Sequence, residues 1–131
     1  MLRTKCIIAP IEDSDGLRIS IMSRHTLNDS ITPHPQITSS TYDLWMKPLA
    51  PPAKLVGDYY KRGLPLEEFK ARYLEYIRRP EVVPEVQNLA QRALEEVVTI
   101  LCIEPIPEPC HRKVLAEECK RYEPGLVLNI R

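Results

Sequence analysis

The chain has 131 residues and 15.1 kDa, the length of one domain, so any function must come from a single core and its surface loops. Hydrophobic residues at 44% and charged residues at 27% exclude an intrinsically disordered chain. Eighteen Lys and Arg balance eighteen Asp and Glu, so no global positive field draws the chain to nucleic acid or to anionic lipid.

Thr4 to Ile11 (TKCIIAPI) reads as a strand closed by the polar turn Glu12-Asp13-Ser14-Asp15-Gly16, and Leu17 to Met22 (LRISIM) alternates with period two. Together they predict an antiparallel pair. Ser23 to Thr41 is rich in Ser, Thr and Pro, lacks sustained periodicity, and is predicted to be a long polar loop of the kind that carries function. Leu44 to Leu49 reads as a short helical turn, and Ala53 to Arg62 as a helix ended by Gly63. Pro65 to Arg79 has apolar residues at helical spacing, acids in its first turn and arginines in its last; Pro80 stops it. A further helix covers Val83 to Glu96.

Val97 to Ile103 (VVTILCI) is apolar without alternation, the pattern of a central strand covered on both faces. After it, Pro105-Ile106-Pro107-Glu108-Pro109 reads as a rigid extended connector, Cys110 to Tyr122 as a helix, and Leu126 to Ile130 as a final strand. The order predicts a single α/β domain over residues 1–131: a small mixed sheet of about four strands, flanked by helices, with a right-handed crossover through the Cys110 helix.

No run approaches the roughly 18 apolar residues of a membrane span, and the first residues lack a secretory core, so a cytoplasmic address is expected and no membrane partner. Cys6, Cys102, Cys110 and Cys119 lack the dense spacing of a secreted scaffold, which favours reduced thiols. Thirteen prolines against four glycines would also suit a thermophile, where intracellular disulfides persist.

The segment richest in chemistry is Leu101-Cys102-Ile103-Glu104, five residues, then Cys110-His111-Arg112. A buried strand ends where Cys102 and Glu104 lie and a helix starts at Cys110, so these side chains converge at the carboxyl end of a strand, where open α/β sheets bind ligands. The helix dipole, Arg112 and a protonated His111 would each favour the Cys110 thiolate.

This pairing of Leu-Cys-x-Glu with Cys-His-Arg at a helix start resembles the hallmark of the family catalogued as domain of unknown function 488. Tyr42-Asp43-Leu44-Trp45-Met46-Lys47-Pro48-Leu49-Ala50-Pro51 is similar to that family's segment built on a Trp, a Lys and Leu-Ala-Pro, and Phe69 with Tyr73 to its following helix. The resemblance implies a small cytoplasmic α/β domain and no established activity. Similar chains carry Arg-x-Trp-Pro-Arg-Gly after the second strand; this one has Ser23-Arg24-His25-Thr26-Leu27, so only Arg24 carries over.

Several readings of the cluster compete. As a thiol-based site, Cys110 or Cys102 attacks an electrophile, His111 or Glu104 handles protons, and Arg112 and Arg24 hold negative charge. A phosphatase loop is excluded because position 116, where its Arg would stand, is Ala. As a metal site the ligand types suffice, but Cys110 and His111 as neighbours on a helix would point about 100° apart, so no metal ligands are assigned. As a redox pair, Cys102 and Cys110 bridge if their Cα atoms come within about 7 Å. The bland reading buries Cys102, caps the helix with Cys110 and His111, and pairs Arg112 with Glu104 or with another carboxylate nearby.

The aromatic residues Trp45, Tyr59, Tyr60, Tyr73 and Tyr76 are expected to pack rather than stack on bases, His25 and His34 to be solvated in their loop, and Cys6 and Cys119 to lie in the core. The expectation is a pocket for a small anionic or nucleotide-like ligand, with cofactor and oligomeric state undetermined. Its rival is a noncatalytic module that docks a protein or nucleic-acid partner through the 23–41 loop.

Overall fold

A computed structural model of the chain describes residues 1–27 and 29–131. Its elements run β1 (Leu2–Cys6), β2 (Leu17–Ser20), β3 (Leu44–Trp45), α1 (Ala53–Arg62), α2 (Leu66–Ile77), α3 (Val83–Glu95), β4 (Val98–Cys102), α4 (His111–Tyr122) and β5 (Leu128–Asn129). The sheet has the order β3-β2-β4-β1-β5, and β4 is central, as its unbroken apolar run requires.

Every pairing between the named strands is parallel, so the expected antiparallel pair of β1 and β2 is corrected. The two strands never pair with each other; they flank β4, with Leu2 and Leu17 both opposite Val98. What read as a hairpin turn is a short crossover containing a 3-10 turn at Asp13–Asp15. It re-enters the sheet at Gly16, whose φ of 62° suits glycine and where any Cβ would collide with the Val97 carbonyl. Leu44–Leu49 also differs from expectation: Leu44–Trp45 forms an edge strand opposite Ile19 and Ser20, and only Lys47–Leu49 turns as a 3-10 helix.

The faces of the sheet have different chemistry. One carries Leu2, Ile19, Val98 and Ile100, fully buried in a core to which all four helices contribute. The helices end where the sequence punctuates them: Gly63 takes the left-handed conformation after α1, and Pro65 and Pro84 start α2 and α3. The opposite face carries Arg3, Lys5 and Arg18, each about 95% buried, beneath the β1–β2 crossover. Asp15, with no exposure, is their shared counterion, accepting from Lys5 Nζ at 3.1 Å and Arg18 Nη1 at 2.5 Å, with Arg3 Nη1 at 3.8 Å.

Residues 23–41 contain no helix or strand among the described residues; a bridge between Thr26 and Pro33 is their regular pairing. Among the described residues, no helix is long and apolar enough to cross a membrane.

Candidate functional site

The connector after β4 bends rather than extends: Cys110 N–H donates to Pro107 O at 3.0 Å, turning the chain back on itself. Eight extended residues would carry Cys110 about 25 Å from Cys102. The turn instead sets their Cα atoms 7.1 Å apart, and the two sulfurs are joined as a disulfide. Cys6 and Cys119 are free.

Cys110 is the N-cap of α4, with φ −103° and ψ 142°. That extended backbone removes the angular argument against joint action by Cys110 and His111, because the two residues are not successive helical positions. His111 Nδ1 lies 3.8 Å from both sulfurs. Its Nε2 lies 2.8 Å from the Ile21 carbonyl, which only accepts, so Nε2 carries the proton and Nδ1 turns its lone pair to the cysteines. The fully buried Tyr73 packs edge-on against the imidazole at 5.1 Å and donates its own hydroxyl to Leu49 O. Burial pushes the His111 pKa down to about 4, with Arg112 adding to the effect, although the Ile21 hydrogen bond opposes it. The imidazole is thus neutral at pH 7.

Cys102, Cys110 and His111 border a cavity of about 610 Å³ at the carboxyl end of the sheet. α1 forms the facing wall through Val56, Gly57, Tyr60 and Lys61, and the start of the polar loop supplies Ser23 and Arg24. Glu104 also borders it, its carboxylate accepting from the Tyr60 hydroxyl. Two cations and one carboxylate therefore rim a space large enough for a small ligand.

Arg112 is placed otherwise than expected. It has no exposure, and its guanidinium donates to Glu104 O at 2.6 Å and to Arg131 O at 2.9 Å from Nη2. One helical step past His111 turns this side chain away from the cavity, so its charge pins the connector and Arg131, two residues past β5, rather than holding a ligand. The bland pairing with the Glu104 carboxylate is also replaced, since Arg112 takes that residue's carbonyl.

His25 is not a solvated loop residue: it meets Ser20 Oγ at 2.7 Å, stacks 4.1 Å from Trp45, and burial lowers its pKa. Neither His25 nor His34 borders the cavity. Cys119 has no exposure, and burial pushes its thiol up to about 12, which leaves it inert. Cys6 is half-buried against Ile103 O.

Sequence reasoning missed Lys61, the Tyr60–Glu104 contact and the Ile21 carbonyl. The first two sit on an ordinary amphipathic helix and the third is backbone, so only their positions give them a role.

Fold and site define a parallel α/β protein with a Cys-Cys-His cluster facing a cavity at the carboxyl edge of its sheet. The model of the family described as the active DUF488-N3 subclade matches residues 2–123, and the chain belongs to that family. No curated protein and no solved structure matches it.

Proposed function

We propose that the chain is a cytoplasmic thiol enzyme that binds a small anionic molecule in the cavity and reduces it with the Cys102–Cys110 pair. The observation that carries this reading is the joined Cys102–Cys110 pair bordering the cavity, with Cys110 at the N-cap of α4. In the reduced protein Cys110 is the nucleophile: its sulfur sits at the amino end of α4, where the dipole favours a thiolate, and its proton leaves to solvent in the cavity.

Attack on a ligand X–Y joins X to Cys110 sulfur and expels Y with the bonding electron pair. Cys102 then attacks that sulfur, X departs with its electrons and a proton, and the disulfide forms. The ligand gains two electrons, and a dithiol reductant returns them to the protein. Arg24 and Lys61 supply attraction for negative charge at the rim, and Glu104, held by Tyr60, orients the ligand or accepts a proton. The description of the subclade as active agrees with an enzymatic role.

Glutathione disulfide, a small anionic disulfide, tests this reading. With Cys102→Ser, which lacks the resolving thiol, mass spectrometry is expected to trap a mixed disulfide on Cys110. Arg24→Ala should slow its formation about tenfold at low salt. An adduct that forms no faster on Cys110 than on Cys6 contradicts the proposal.

A further inference from the structure

The opened disulfide presents a ligand set as well as a nucleophile. Cys102 Sγ, Cys110 Sγ and His111 Nδ1 all lie within 4.8 Å of one another, and both sulfur–nitrogen separations are 3.8 Å. A tetrahedral zinc ion with Zn–S near 2.3 Å and Zn–N near 2.0–2.1 Å sets neighbouring ligand atoms about 3.5–3.8 Å apart. The two sulfur–nitrogen edges, at 3.8 Å, lie within about 0.3 Å of the sulfur–nitrogen edge such an ion sets, and the sulfur–sulfur edge is free to lengthen once the bond is reduced.

We propose that the reduced chain binds one Zn²⁺ through Cys102, Cys110 and His111, with the fourth coordination position open to the cavity. Three further observations favour this ion and this stoichiometry. The imidazole is presented through Nδ1 because Nε2–H is tied to the Ile21 carbonyl, the outer hydrogen bond that metal-bound histidines make to fix ring and tautomer. The ligands come from the end of β4, the N-cap of α4 and the first residue of that helix, all rigid positions. Two thiolates with one imidazole suit zinc, and three protein ligands with one open position distinguish a reactive zinc site from a closed structural one. An anion drawn in by Arg24 and Lys61 would fill the remaining position.

Reduction of the disulfide by a dithiol takes two electrons and two protons, giving two thiols. Zinc then displaces those two protons, and the neutral imidazole releases none. Disulfide and metal are therefore mutually exclusive, and oxidation of the pair ejects the ion. This inference needs only the reduced thiols, not their attack on a ligand.

Cobalt(II) is the probe, because tetrahedral thiolate coordination gives strong visible bands and a near-ultraviolet charge-transfer band that octahedral cobalt lacks. Protein reduced with a phosphine and desalted under argon should take up one equivalent with those bands, and zinc should bleach them. Disulfide-form protein should show neither. Cys110→Ser keeps the fold, serine being favoured at an N-cap, and should weaken cobalt binding at least about tenfold; His111→Gln should do the same. An octahedral spectrum from reduced wild-type protein, or unchanged affinity in Cys110→Ser, overturns the proposal. The glutathione disulfide assay reads the thiol chemistry separately, so the two ideas fail independently.

Discussion

Asp15→Asn is expected to destabilise the protein by about 3–5 kcal/mol, the range for removing one partner of a buried ionic cluster. The substitution keeps the shape of the side chain and deletes its charge, leaving Arg3, Lys5 and Arg18 without their fully buried counterion. Glu12 remains near Lys5, but its side chain is half exposed. Burial alone would raise the Asp15 pKa; the Glu12 N–H, Lys5 and Arg18 outweigh it and hold it below the usual carboxylate range. Urea denaturation of the variant should show a much lower midpoint. Adding Lys5→Met should restore part of the loss, because one uncompensated cation is then gone. A change below about 1 kcal/mol in Asp15→Asn would place that cluster among solvated surface pairs instead.

Acid should destabilise the fold through His111 before it protonates the paired carboxylates. The folded pKa of about 4 lies below the ordinary 6.5, so the unfolded chain binds the extra proton between those values. Stability from a neutral His111 is thus fully present above about pH 6.5 and declines as pH falls towards 4. The loss is about 3 kcal/mol, at roughly 1.4 kcal/mol per pKa unit. Glu118 acts lower: burial opposes its ionisation, but Arg78 and Arg121 bring it down to about 2, so its contribution declines from pH 4.5 to 2. Denaturation midpoints of His111→Gln should fall less steeply than those of wild type between pH 6.5 and 4.5, the remaining slope coming from His25, whose pKa burial also lowers, and then fall as in wild type. Superimposable wild-type and variant profiles would show that His111 titrates as an exposed histidine does.

The helices are legible in the sequence because their faces and caps are local properties: Gly63, Pro65, Pro80 and Pro84 mark boundaries wherever the chain goes. β4 is legible for the same reason. The pairing of β1 with β2 was not local. Lys5 and Arg18 alternate with apolar residues as a solvated face would, yet they are buried, because the crossover carrying Asp15 folds over them. Nothing in the spacing of Glu12 to Gly16 distinguishes a hairpin turn from that cover.

At the site, Cys102, Glu104, Cys110 and His111 were legible as a convergence because strand end and helix start are adjacent in sequence. Arg112 was misplaced by a single helical step, which decides between cavity and interior. The metal geometry was dismissed by assigning Cys110 to the helix, whereas as N-cap it follows a different backbone rule. Lys61 and Tyr60 reach the cavity only because α1 packs across the carboxyl edge of the sheet, a tertiary fact with no sequence signature.

The central claim is that this surrounding activates Cys110. The direct measurement is its alkylation rate against pH in freshly reduced protein, read peptide by peptide so that Cys6, Cys102 and Cys119 serve as internal comparisons. A half-maximal rate for Cys110 below about pH 7.5, well below those of Cys6 and Cys119, is expected from its place at the amino end of α4. A midpoint for Cys110 at the ordinary thiol value of about 8.5 or above would contradict that claim.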